Sequence, residues 1–357
     1  MTYNSKPFRV GTILKEKNYL EMKDSRPIKK EITIKFPSRL NAMAINPSGI
    51  TNNSDVCKAG EVVFSIPIFR IVKVKIVEGE GKIKLAKETT RSSLIMHAAL
   101  LMKKALGFKD SIEIDVDTEY EIKHCGLGSS SAIISAVGIA INELYGKPYK
   151  DEILIRYLAQ NHGEEIENEP NFLVPVQCIG GSAASGITLG GLHIITGEST
   201  VITSMALDDD YKVVIAVPKE YKEIDAKEAM YEEIKSFHKF EKTAQKYSQE
   251  IAFRMLHDCI PELKNNNLKP LGDLIFDYRY DMGSIENCSF NYPPIVDMAK
   301  KVKCLKINGL CDVLSMSSVG PAMFAITKYP DECTKIFEQA DFKTIMTSIY
   351  NKKYEVL

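Results

Sequence analysis

The run His124-Cys125-Gly126-Leu127-Gly128-Ser129-Ser130-Ser131 has the residue types and spacing best suited to chemistry in this chain. Glycine reaches backbone conformations that a side chain blocks. Amides left unpaired at a helix start carry partial positive charge and point beyond the helix end. Such a junction cradles an anion, and a polyphosphate is the expected ligand. The same residues could also form only a turn with a serine cap, and glycine spacing alone does not separate the two. Two related patterns do not fit. No lysine follows Gly128, as a P-loop requires, and the next glycine, Gly138, falls inside the following helix, where the dinucleotide fingerprint has none.

The flanking elements define the junction. Ile112, Ile114 and Val116 alternate with Glu113, Asp115 and Asp117, the period-two pattern of a half-buried strand. Ile133, Ile134, Val137, Ala140, Ile141 and Leu144 recur at helical spacing until Gly146 and Pro148, which predicts a long amphipathic helix. Strands are also expected at Ile32–Phe36, Val62–Ile68, Val72–Ile76, Val213–Val217 and Ala322–Thr327. Helices are expected over Asp225–Leu263, Leu268–Phe276 and from Pro293-Pro294. Strands dominate before residues 197–210 and helices enter after them, without regular strand-helix-strand repetition. The class reads as α+β in two lobes, 1–205 and 206–357.

Composition bounds the function. At 357 residues the chain is long enough for two domains, and 45% hydrophobic with 26% charged residues is ordinary for a globular protein. Lysine plus arginine number 46 against 47 acidic residues, a net charge of -1, which gives no case for generic nucleic-acid binding. The N-terminus lacks an apolar signal core and no apolar run is long enough to cross a bilayer, so a cytoplasmic protein without a membrane partner is expected. The eight cysteines form no close C-x-x-C pair, so neither a disulfide framework nor a zinc site is indicated.

Two segments carry a family resemblance. Gly126-Leu127-Gly128-Ser129-Ser130-Ser131-Ala132 resembles the phosphate-binding signature of the GHMP kinase superfamily, and Ser315-Met316-Ser317-Ser318-Val319-Gly320-Pro321-Ala322 resembles its second glycine/serine turn, in the expected order. The resemblance implies a two-domain α+β fold, with an N-terminal phosphate-binding domain over 1–205 and a ferredoxin-like domain over 206–357. Within the superfamily the chain is most similar to the β-ribofuranosylaminobenzene 5'-phosphate synthase family. Pro37-Ser38-Arg39-Leu40-Asn41, His124, the helical pattern from Met255 to Leu263 and Met316-Ser317-Ser318-Val319-Gly320-Pro321 carry that likeness. Departures accompany it. The synthase loop usually reads Gly-Ser-Gly-Thr-Gln, whereas Gly128 to Ala132 has the kinase form; Asn41 replaces a histidine; and the segment Gly180–Thr188 lacks the family's arginine.

What the resemblance implies for the site is specific. Gly126, Leu127, Gly128, Ser129, Ser130 and Ser131, with Ser317, Ser318 and Gly320, would hold the donor, either ATP or phosphoribosyl pyrophosphate. Ser130 would ligate Mg2+ together with a helix-borne glutamate, for which Glu165 is preferred over Glu167 and Glu164 at the end of the next predicted helix. These carboxylates could equally be a solvated helix end. His124 and Arg39 would contact phosphate or acceptor, against purely structural roles at a strand end and in a salt bridge. Arg279 reads as a paired structural arginine. No aspartate occurs from Asn168 to Gly191, where such kinases place a base, and Gln177-Cys178 occupies that neighbourhood. The leading expectation is an ATP-dependent kinase acting on a small, anionic, hydroxylated metabolite such as a mevalonate-type acid. The alternatives are decarboxylating phosphoribosyl transfer to 4-hydroxybenzoate, and a non-catalytic nucleotide or metabolite sensor. The expected partner is a small molecule, with a homodimer as one option for assembly.

Overall fold

The computed structural model describes residues 6–14, 21–50, 58–87, 91–118, 125–175 and 180–357. In chain order the strands are β1 (Phe8–Arg9), β2 (Glu31–Ala44), β3 (Glu61–Val77), β4 (Ile83–Leu85), β5 (Ser111–Thr118), β6 (Gly163–Glu165), β7 (Phe172–Pro175), β8 (Leu192–Thr196) and β9 (Thr200–Met205). After them come β10 (Lys212–Pro218), β11 (Val313–Met316), β12 (Met323–Thr327), β13 (Phe342–Ser348) and β14 (Glu355–Val356). The helices the site uses are α1 (Ser92–Leu106), α2 (Ser129–Leu144), α3 (Asp151–Gln160), α4 (Gly181–Ile187), α5 (Ala226–Lys235), α6 (Phe237–Arg254), α7 (Ile260–Lys264) and α8 (Lys269–Tyr280).

The first sheet runs β14-β2-β3-β5-β4, with β8 on β3 and β9 on β8. Its spine is the antiparallel pair β2 and β3, whose register shifts between Pro37 and Ser38 and again between Asn41 and Met43. Proline has no amide to donate, and such irregularities bend a strand and re-aim its side chains. The bend encloses Arg39 and Asn41. The two strands expected at Val62–Ile68 and Val72–Ile76 are one, because Phe69-Arg70-Ile71 contains no turn former and Arg70 is buried at 2% exposure beside Thr118 of β5.

Helix α2 is not amphipathic as expected: every residue from Ser129 to Leu144 is buried. It lies in the core with α1, α3 and α4 around it and the sheet behind. Gly138 makes the close approach possible, since a Cβ there would stand 2.7 Å from Leu158 Cδ1 on α3. Its polar face is satisfied internally, as when Asn142 Nδ2 donates to the Tyr149 carbonyl at 3.1 Å.

The second sheet is fully antiparallel in the order β11-β12-β10-β13. Numbered from its first strand, this is 2-3-1-4, the ferredoxin-like arrangement. Between β10 and β11 the chain is helical, and the stretch expected as one helix from Asp225 to Leu263 is α5, a break at Ser236, α6, a π turn and α7. The tail then returns to the first sheet, where Glu355 pairs with Lys35 and Val356 with Ile34. One hydrophobic cluster joins both sheets through Leu40, Phe64, Val213 and Phe324. The rings of Phe64 and Phe324 meet edge to face at 6.2 Å. A small sheet, β1-β7-β6, closes the side of α1. Among the described residues no helix is long and apolar enough to cross a membrane, and the six described cysteines are free.

Candidate active site

The phosphate-type loop is built by two glycines that no other residue could replace cheaply. Gly126 has φ 96° and Gly128 φ 67°, both left-handed, and Gly128 caps α2. The first helical bond runs from the Ala132 amide to the Gly128 carbonyl at 3.0 Å, so the amides of Ser129, Ser130 and Ser131 precede the helical ladder. Leu127 anchors the loop by packing on the cluster shared by the two sheets.

The second glycine/serine turn locks this loop from the other lobe. Ser317 Oγ donates to the Gly126 carbonyl at 2.7 Å and accepts from the Asn41 amide at 3.0 Å. The Ser318 amide donates to the Asn41 carbonyl at 2.9 Å, and the Ala322 amide to the Cys125 carbonyl at 3.0 Å. Arg39 Nη1 adds a bond to the Gly126 carbonyl at 3.1 Å. A cleft of about 160 Å³ opens over this junction. Of the residues singled out in the sequence, Arg39, Asn41, the loop from Gly126 to Ser131, Glu164, Ser318 and Val319 line it. Ser317 and Gly320 are buried behind its wall. His124, Gln177 and Cys178 lie outside the described residues.

Glu165 is not helix-borne. Helix α3 ends at Gln160, and Glu165 closes the short strand β6, because Gly163-Glu164-Glu165 pairs with Leu173–Pro175 of β7. There it faces a second cleft of about 580 Å³ that also takes in Glu167 and Arg91. Arg91, 2% exposed, joins it to the loop: Nη1 donates to Glu165 Oε2 at 2.9 Å, and Nη2 to Ser130 Oγ at 2.5 Å and Ser129 Oγ at 3.3 Å. The expected Mg2+ ligands Ser130 and Glu165 are thus brought together, with a guanidinium between them. A Mg2+ ion would need to stand about 2.1 Å from each oxygen. The guanidinium between Ser130 Oγ and Glu165 Oε2 sets positive charge where a shared Mg2+ would stand, so the arrangement does not fit the metal.

Residues 93–188 match the family model described as GHMP kinases N terminal domain. This is a GHMP-fold chain. Among curated proteins it is similar to the β-ribofuranosylphenol 5'-phosphate synthase of Archaeoglobus fulgidus, 25% identical over 318 residues, covering 83% of this chain and 88% of that one. It is also 30% identical over 99 residues to the 4-diphosphocytidyl-2-C-methyl-D-erythritol kinase of Desulfitobacterium hafniense, a match spanning 28% of this chain and about a third (34%) of that kinase. Among solved structures, the mevalonate kinase of L. major in complex with R-mevalonate superposes with a TM-score of 0.59 at 12% identity, covering 92% of this chain and 99% of that one.

The cleft also holds Glu61, His162 and Glu233, which belong to no motif, beside the expected carboxylate Glu164. Glu61, 3% exposed at the start of β3, accepts from the Gly181 amide at 2.6 Å and from Asn41 Nδ2. Burial raises its carboxyl above the ordinary range, while nearby Arg39 pulls it back down. His162 Nε2 lies 3.6 Å from Glu164 Oε1, and both residues line the cleft. Glu233 comes from α5 in the other lobe, and loss of water pushes its carboxyl up to about 7. No motif announces Glu61 or Glu233; one reads as a strand end and the other as one of many charges on a polar helix. Cys125 beside the loop is no nucleophile, since burial pushes its thiol up to about 11. Arg279 is structural and donates to uncharged groups: Nε to the Ala42 carbonyl at 2.9 Å and Nη1 to Ser284 Oγ at 3.1 Å.

Proposed function

We propose that the protein transfers a phosphoryl group from ATP to a hydroxyl of a small anionic metabolite, of which a mevalonate-type acid is the model acceptor. One observation carries this reading: the phosphate-type loop Gly126–Ser131 shares its cleft with Glu233, a carboxyl group held near neutrality at about 7. A general base works best when its pKa lies near the operating pH. This supplies the group that the missing aspartate left open.

In the step proposed, the acceptor oxygen bonds to the terminal phosphorus as the bond to the bridging oxygen breaks. ADP leaves with that electron pair, and the acceptor proton passes to the Glu233 carboxylate. The unpaired amides of α2 bind the donor phosphates, and the Arg39 guanidinium supplies positive charge beside the loop. Ser129 and Ser131 close the wall, and His124 adjoins the loop in sequence. No step is routed through a metal held by Ser130 and Glu165. The kinases among the similar proteins support ATP as donor. The division at 1–205 and 206–357 belongs to the same reading, one lobe carrying the loop and the other Glu233.

The deciding assay measures ADP formation from ATP across a panel of small hydroxy acids. Acceptor-dependent ADP that falls at least tenfold in Glu233→Gln supports the reading; ADP formation indifferent to every acceptor sinks it. A second reading, phosphoribosyl transfer to 4-hydroxybenzoate with loss of carbon dioxide, is favoured by the extent of the likeness to the Archaeoglobus synthase, 318 residues. Carbon dioxide release from phosphoribosyl pyrophosphate and 4-hydroxybenzoate would replace the first reading with the second. Ligand-induced thermal stabilisation without any product would replace both with a sensor.

A further inference from the structure

Arg91 precedes α1 and belongs to no motif, yet it is the best-buried cation at the loop. Its side chain is 2% exposed and donates to Ser129 Oγ, Ser130 Oγ and Glu165 Oε2. A desolvated guanidinium tied to a carboxylate is costly to expel, and its planar fork fits oxyanions. The bond to Ser130 also has a direction. Arg91 can only donate, so Ser130 Oγ accepts and its own proton points elsewhere, while the residue lines the cleft. A hydroxyl arranged in this way is a hydrogen-bond donor to an anion, polarised by the cation behind it, and that same cation repels a metal from the oxygen it bonds.

We infer that Arg91 is the fixed counter-charge of the phosphate loop, so that a polyphosphate binds at Gly126–Ser131 without a divalent ion between Ser130 and Glu165. The inference rests on reading that loop as the phosphate site. Glu165 is then the partner that neutralises and positions Arg91 between visits of the anion. Two consequences separate this arrangement from metal ligation. Chelation leaves anion binding intact, and neutralising Glu165 preserves or tightens it, because the carboxylate competes with the anion for the guanidinium.

The test is calorimetric titration of the whole protein with inorganic tripolyphosphate, in EDTA and in excess Mg2+. The expected result is affinity in EDTA at least equal to that in Mg2+, a loss of tenfold or more in Arg91→Met, and equal or tighter binding in Glu165→Gln. Binding that requires Mg2+, or a tenfold loss in Glu165→Gln, overturns the inference, and both outcomes stand even where Arg91→Met does not fold. Gly128→Ala separates this inference from the reading beneath it. Lost binding in Gly128→Ala with full binding in Arg91→Met overturns the role of Arg91 alone; full binding in both overturns the loop reading and this inference together.

Discussion

Ser317 Oγ donates to the Gly126 carbonyl at 2.7 Å, across 191 residues of chain and between the two sheets. The contact is so close that a Cβ on Gly126 would stand 2.2 Å from the Ser317 carbonyl oxygen. The two glycine/serine turns are therefore one structural unit, and the second turn shapes the first more than it faces the cleft. Of its residues only Ser318 and Val319 line that space.

Gly126→Ala should thus damage stability and anion binding together. Its φ of 96° is left-handed, and the clash is with backbone that cannot rotate away. A cost of at least roughly 2 kcal/mol is expected. Ser317→Ala leaves the Asn41 amide without its acceptor and should cost about 1–3 kcal/mol. Urea unfolding midpoints measure both, and a Gly126→Ala protein as stable as the parent would contradict the close approach.

Glu61 should matter more as an acceptor than as a charge. Its carboxylate takes bonds from the Gly181 amide and Asn41 Nδ2 within a buried pocket. Glu61→Ala leaves both donors unpaired, at about 2–3 kcal/mol, whereas Glu61→Gln keeps one acceptor oxygen and should lose about half of that. Thermal unfolding of the two variants checks the order.

Much of this architecture is legible in the sequence, for a physical reason. Ile112, Ile114 and Val116 alternate because one face of β5 meets the core, and the glycines at 126 and 128 stand where only their backbone freedom allows the turn. The failures share a cause as well. The helix from Ser129 reads as amphipathic because its serines and Asn142 are polar, yet the polar face is buried within the fold. Glu165 reads as helical because carboxylates after an amphipathic run imitate a helix end; its pairing with Leu173 is long-range information. Arg91, Glu61 and Glu233 come from three distant segments and gather around the loop only after folding, Arg91 from behind through Ser130 and the two glutamates across its cleft.

Arg279→Met should be among the most destabilising single changes. The guanidinium donates to the Ala42 carbonyl, Ser315 Oγ, Ser284 Oγ and the Asn41 carbonyl from a position 2% exposed. Removing it takes a buried donor from Ser284 Oγ and Ser315 Oγ and leaves the Ala42 and Asn41 carbonyls with one donor each, Ser315 Oγ and the Ser318 amide, for roughly 2–4 kcal/mol. Arg279→Lys should recover only part of that, since a single ammonium cannot span the same fork. Chemical denaturation gives the ranking, and equal stability of the lysine variant and the parent would count against the fork.

Glu233 gives the pH prediction. Its folded pKa of about 7 lies above the ordinary carboxylate value of 4.5, and loss of water is the cause. Between those two values the folded state binds more protons than the unfolded state, so stability must fall as pH rises through that interval. The contribution is fully present below 4.5 and is lost by the time pH passes about 7. Glu233→Gln should remove this part of the slope, which melting temperatures recorded from pH 4 to 8 would show. The same group sets an opposite trend in activity. As a base, Glu233 must be ionised, so kcat/KM should rise through pH 7 while stability declines, and the glutamine variant should lose the rise along with most of the rate. A variant that keeps the parent's rising limb would assign that limb to another group and leave Glu233 a structural acid.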